Sequence, residues 1–169
     1  MAGRIEKMDK TLRKGLSLIG ALVVASGSIA VLAGSVTAQT KSLSLARNFR
    51  PDPIELAGSA GGGKSIPSLA GMQGRCRGFS NQNPNHVVQL TEDFPLVDML
   101  VHTPNINADL TLLVKGDNGL VICADDEYRG RNPQITRRLS QGNYQIWVGT
   151  GNANQSVNYT LSISEIAQK

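Results

Sequence analysis

Asp125, Asp126 and Glu127 form the densest run of carboxylates in the chain, with Asp109 and Asp117 in turn-forming stretches upstream. Hard cations such as calcium take about six to eight oxygen ligands, which loop carboxylates and backbone carbonyls can supply. These residues are therefore the candidate metal ligands, and calcium is the candidate cofactor. Their spacing is not that of an EF-hand loop. The same acids also read as solvated turn residues, or as partners of Arg129, Arg131, Arg137 and Arg138.

A second pattern is Gly58-Ser59-Ala60-Gly61-Gly62-Gly63-Lys64-Ser65, which matches the phosphate-loop signature G-x-x-x-x-G-K-[ST]. That signature works only between a strand and a helix long enough to aim backbone amides at phosphate. Ile54 to Leu56 could supply the strand, but Gly71 and Gly74 interrupt the residues after Ser65, so the pattern is expected to be a flexible glycine turn. His86, His102 and Cys76 could be drawn as a nucleophile and its bases. The strained elbow G-x-S-x-G is absent, however, and two isolated histidines at strand ends are ordinary surface residues. No catalytic residue is assigned.

Trp147 and Tyr128 are the candidate ligand-contacting aromatics. Trp147 falls out of phase with Tyr144, Ile146 and Val148, so strict alternation puts it on the opposite face of their strand. If that face is wet, the indole is an anchor for a protein or sugar; if loops cover it, it is a second small core. Tyr128, beside the acids, carries the same ambiguity.

These residues are positioned by short β-favouring runs separated by turn signals: Val87–Leu90, Leu96–His102, Leu110–Lys115, Leu120–Cys123, Gln134–Leu139, Asn143–Thr150 and Asn158–Ser164. Their number and spacing predict an all-β, antiparallel jelly-roll-like sandwich over residues 86–169. Period-two alternation selects its core: Leu110, Leu112 and Val114; Tyr144, Ile146 and Val148; Tyr159, Leu161 and Ile163. Residues 39–85, rich in Gly, Ser, Pro and Asn, read as an irregular N-terminal arm packed on that sandwich.

Ahead of the arm, a basic segment precedes the uncharged, aliphatic-rich Gly15–Ala38, the order of a secretory signal peptide with cleavage expected after Ala38. An uncleaved anchor is the alternative. With cleavage, the mature chain has no stable membrane insertion and is secreted or periplasmic in a bacterium. The chain of 169 residues has 17 Lys plus Arg against 13 Asp plus Glu, and much of that excess lies in the leader. The nearly neutral remainder argues against a nucleic-acid partner, which calls for a concentrated cationic surface. Export also permits Cys76 and Cys123, the two cysteines, to form a disulfide, with separate buried thiols as the alternative.

The ordered set Asp109-Leu110-Thr111-Leu112, Cys123-Ala124-Asp125-Asp126, Asn132-Pro133, Gly142-Asn143-Tyr144-Gln145-Ile146-Trp147-Val148-Gly149 and Tyr159-Thr160-Leu161-Ser162-Ile163 resembles the bacterial pre-peptidase C-terminal domain. Phe49-Arg50-Pro51-Asp52-Pro53 and Cys76-Arg77-Gly78 resemble an extension found in small secreted relatives of that domain. The resemblance implies a jelly-roll-like sandwich, of a kind usually appended to secreted proteases, some members of which bind calcium or extracellular matrix. The expectation is thus an exported noncatalytic module that binds an extracellular protein or a polysaccharide. The alternative is a small secreted hydrolase or protease-associated factor.

Overall fold

The computed structural model of the chain describes residues 41–71 and 76–169, so the expected leader over 1–38 lies outside the described residues. In chain order the elements are β1 (Lys41–Leu45), β2 (Ile54–Ala60), β3 (Lys64–Ser65), α1 (Ile66–Ala70), β4 (Phe79–Ser80), β5 (His86–Leu90), β6 (Phe94–His102), β7 (Leu110–Gly116), β8 (Val121–Ala124), β9 (Gln134–Leu139), β10 (Gly142–Thr150) and β11 (Val157–Ser164). They form two sheets. The four-stranded sheet runs β2-β11-β6-β9, antiparallel throughout. The seven-stranded sheet is built on β10, which carries β7 and then β8 on one side and β5 and β4 on the other. The expected all-β sandwich, rich in antiparallel pairs, is what the chain forms.

The core lies between the sheets because alternation sends one face of each strand inward. All nine residues selected by period-two reading are buried there, joined by Phe94, Val97, Met99 and Val101 of β6 and Val88 and Leu90 of β5. Each large aliphatic side chain fully removed from water contributes roughly 1.5–3 kcal/mol before chain entropy is set against it. Tyr144 reaches through the layer, and its hydroxyl donates to the Ser140 carbonyl at 2.6 Å, so the phenol's polar end is satisfied while burial raises its pKa.

The N-terminal region is not an irregular arm laid on a finished sandwich. β1 pairs in parallel with β5, β2 forms an edge of the four-stranded sheet along β11, and β3 pairs with β4 at the far side of the other sheet. The strands within 41–71 and 76–80 therefore belong to both layers. The reason is visible in Lys-Ser-Leu-Ser-Leu and Ile-Glu-Leu-Ala-Gly-Ser-Ala, where small polar residues alternate with side chains that pack on the core, including Leu43, Leu45, Ile54 and Leu56.

The same segment builds a second, smaller core on the outer face of the large sheet. Leu113 of β7 stands opposite both Trp147 of β10 and Cys123 of β8. Ile66 and Ala70, four residues apart on α1, cover this row together with Cys76. α1 is punctuated by Pro67 in its first turn and by Gly71 as left-handed C-cap at φ 69°. The Cys76–Cys123 disulfide closes the cluster, with Cα atoms 5.3 Å apart.

An acidic side chain is buried on the outer face of the four-stranded sheet. Asp98 of β6 is fully buried and accepts from the Gln134 side chain, the Thr136 hydroxyl and the backbone N–H of Gln168. Gln168 is fixed in turn by Ser162, whose hydroxyl donates to its side-chain carbonyl at 2.6 Å. The residues after β11 thus fold back onto a carboxylate that makes no ion pair among the described residues.

Candidate functional site

β7 and β8 are a hairpin in which Leu112 opposes Ala124. Just beyond that register, Asp109 before β7 comes beside Asp125 and Asp126 after β8. One carboxylate oxygen from each of the three lies within 4.8 Å of the other two. Like charges at this separation repel unless something neutralises them. The Asp125 carboxyl is accordingly held above its ordinary value, first by burial and then by the charges of Asp126 and Asp109, with Arg77 pulling the other way. Its Oδ1 is buried and makes no hydrogen bond. No ion pair joins the cluster to Arg129, Arg131, Arg137 or Arg138 among the described residues; the pair found there is Arg47 to Glu92, at 3.3 Å.

The backbone crowds this cluster. Gly151, at the end of β10, donates its N–H to the Asp109 carbonyl at 2.9 Å, and a methyl group on its Cα would collide with the Asp109 carboxylate. Glu127 faces a different task. Its Oε2 accepts the backbone N–H of Asp125 at 2.7 Å and that of Gln134 at 3.4 Å, closing the loop that carries the acids.

Asp117 does not join the group. It follows the far end of β7, opposite to Asp109, and its Oδ2 accepts both the backbone N–H of Asn143 at 3.0 Å and the Asn143 side chain at 3.1 Å. Those bonds lower its pKa and tie the β7–β8 turn to the start of β10. Of the expected ligand set, the structure brings together Asp109, Asp125 and Asp126, and uses Asp117 and Glu127 as loop ties.

The aromatic candidates part ways as well. Trp147 is 6% exposed inside the second core and donates its indole N–H to the Gln82 carbonyl at 3.3 Å. As an anchor for a partner it is out of reach, because Ile66, Leu69 and Ala70 of α1 and Cys76 pack over the face that alternation left open. Tyr128 is half-buried, and the Arg129 guanidinium stacks 5.0 Å from its ring centroid.

The residues weighed for catalysis are committed elsewhere. Cys76 is bonded to Cys123, and His86 is buried, with Nε2 at 2.7 Å from the Tyr159 hydroxyl. Burial also raises the Tyr159 pKa, keeping the phenol neutral. The phosphate-loop signature folds as β2, a glycine turn and β3, ahead of a five-residue helix. Its Gly61 amide donates to the Val148 carbonyl at 3.3 Å. Rather than being a loose turn, the run is packed in: a methyl group on Gly62 would run into the Ser80 carbonyl.

No family model and no curated protein matches the sequence. A solved structure of the pre-peptidase C-terminal domain of collagenase from Bacillus anthracis is similar to this chain at 13% identity and a TM-score of 0.44, over 75% of this chain and 97% of that one.

Proposed function

We propose that the chain is an exported, noncatalytic β-sandwich module that binds an extracellular or envelope partner, a protein or a polysaccharide, and that calcium braces one end of its sandwich. The observation that carries the calcium part is the group of Asp109, Asp125 and Asp126, with a buried Asp125 oxygen that no donor satisfies. The donor set is all hard oxygen and net negative, which suits calcium rather than zinc. When bound, the ion supplies charge neutralisation and a cross-link between the start of β7 and the loop after β8. Export is supported by the hydrophobic leader and the disulfide, which persists in an oxidising compartment. The noncatalytic reading is supported by the bonded state of Cys76 and the burial of His86.

The test is thermal unfolding of the purified mature protein after chelation, followed by calcium titration. Calcium at one hundred times its dissociation constant stabilises by about 2.7 kcal/mol, a rise in Tm of roughly 5–10 °C for a domain of this size. An unchanged Tm across the titration rejects the brace.

A further inference from the structure

A cavity of about 490 Å³ is walled by residues 57–62 of β2 and the glycine turn, by Asn81 and residues 83–86, by 154–156, and by Tyr159. Its volume is that of a small-molecule site. Asn81, Asn83, Asn85, Asn154 and Gln155 line it together with Ser59, Ser156, small residues, Pro84, His86 and Tyr159; among the described residues the lining holds no Asp, Glu, Lys or Arg.

The walls are fixed by bonds that do not involve a ligand. Asn85 donates its side-chain N–H to the Ser59 carbonyl at 3.0 Å and accepts the Val148 N–H at 2.8 Å. The Asn154 backbone N–H donates to the Gly62 carbonyl at 2.8 Å, and the hydroxyls of Ser59 and Ser156 meet at 2.8 Å. Gly61 and Gly62 are required there, since a methyl group on either would strike the Gln155 or Ser80 carbonyl. Gly58 lets the Tyr159 ring lie against β2. The glycine-rich signature therefore has a role in the fold: it permits three loops to close around a preformed hollow.

We infer that this cavity binds a short, uncharged segment of glycan. A carboxamide offers a donor and an acceptor on one planar group, which matches the adjacent hydroxyls of a sugar, each of which also donates and accepts. Among the described residues His86 is the one basic group in the lining, and its Nε2 is taken up by the Tyr159 hydroxyl at 2.7 Å, so no Lys or Arg is there to pair with a phosphate or carboxylate ligand. Extended peptide is less favoured because Asn85 already bonds the Ser59 carbonyl, one of the backbone acceptors in the lining that such a peptide would use. Among the described residues, the side chains of Asn83 and Gln155 find no partner within the fold, and both are exposed. This inference rests on the binding-module reading and names the ligand class and the place.

The experiment is a nitrogen-15 NMR titration of the calcium-loaded mature protein with neutral tetrasaccharides of glucose, N-acetylglucosamine and galactose, and with an uncharged tetrapeptide. Expected are shifts in the side-chain amide signals of Asn83, Asn154 and Gln155 with at least one saccharide. Affinity should fall roughly two- to tenfold in each of Asn83→Ala and Gln155→Ala, with backbone spectra otherwise unchanged. No saccharide response at millimolar concentration, a response indifferent to both variants, or shifts with the peptide alone would overturn it. The calcium-dependent Tm is read separately on the same sample, so loss of the glycan response with that rise intact defeats the cavity alone. Cleavage of a bound saccharide would keep the cavity and defeat the noncatalytic reading.

Discussion

Asp125 is an acid whose carboxyl is raised above its ordinary value near 3.8 by burial and by Asp126 and Asp109. The folded protein therefore keeps this proton to higher pH than the unfolded chain does, so stability falls as pH rises from about 3.8 through the raised value. That is opposite to the behaviour of Asp117, whose lowered pKa adds stability that is lost on acidification. Asp125→Asn should therefore raise the Tm of the calcium-free protein at neutral pH by about 1–3 °C, the scale of a partly exposed charge. It should also abolish the calcium-induced rise, and a thermal melt with and without chelator reads both. The acids were legible in the sequence as a cluster around Asp125. Separating Asp109 from Asp117 required strand length: they flank the seven-residue β7, so they sit at opposite ends of one element. Nothing in residue type distinguishes Glu127, whose carboxylate turns back onto its own loop.

At the scale of elements, alternation identified β5 to β11 closely because each carries several inward aliphatic or tyrosine side chains. It was less informative for residues 41–80, where glycine, serine and proline mask the period and the strands depend on partners distant in sequence. β2 is paired to β11, for example, with Ile54 opposite Ile163. The parallel pairing of β1 with β5 has no local turn to announce it. Two substitutions separate the layers. Leu112→Ala opens the main core and should cost about 2–5 kcal/mol. Gly149→Ala instead presses a methyl group against Ile66 Cδ1, Thr111 Oγ1 and the Phe79 carbonyl, at 2.5, 2.6 and 2.7 Å. It should cost about 1–3 kcal/mol by overpacking. Urea midpoints at constant slope measure both, and a neutral Gly149→Ala would mean that α1 and β4 are not seated against β10 as described.

For the molecule as a whole, the disulfide spans 47 residues and joins the N-terminal segment to the hairpin that carries the acids. Its entropic contribution is at most about 4 kcal/mol in the simple loop picture. The second core that it closes holds the chain's single tryptophan. Reduction should accordingly lower the urea midpoint and move Trp147 emission to longer wavelength before the main sandwich melts; coincident loss of both signals would make the two cores one cooperative unit. The bridge was legible because two cysteines allow one intramolecular pairing. The cavity was not, since its amides come from segments more than sixty residues apart in sequence, between residues 85 and 154. The residues after β11 have a practical consequence of their own. Because the Gln168 N–H completes the shell of the Asp98 carboxylate, 2.9 Å away, cutting the chain before Gln168 would pull a plug from the outer side of the four-stranded sheet.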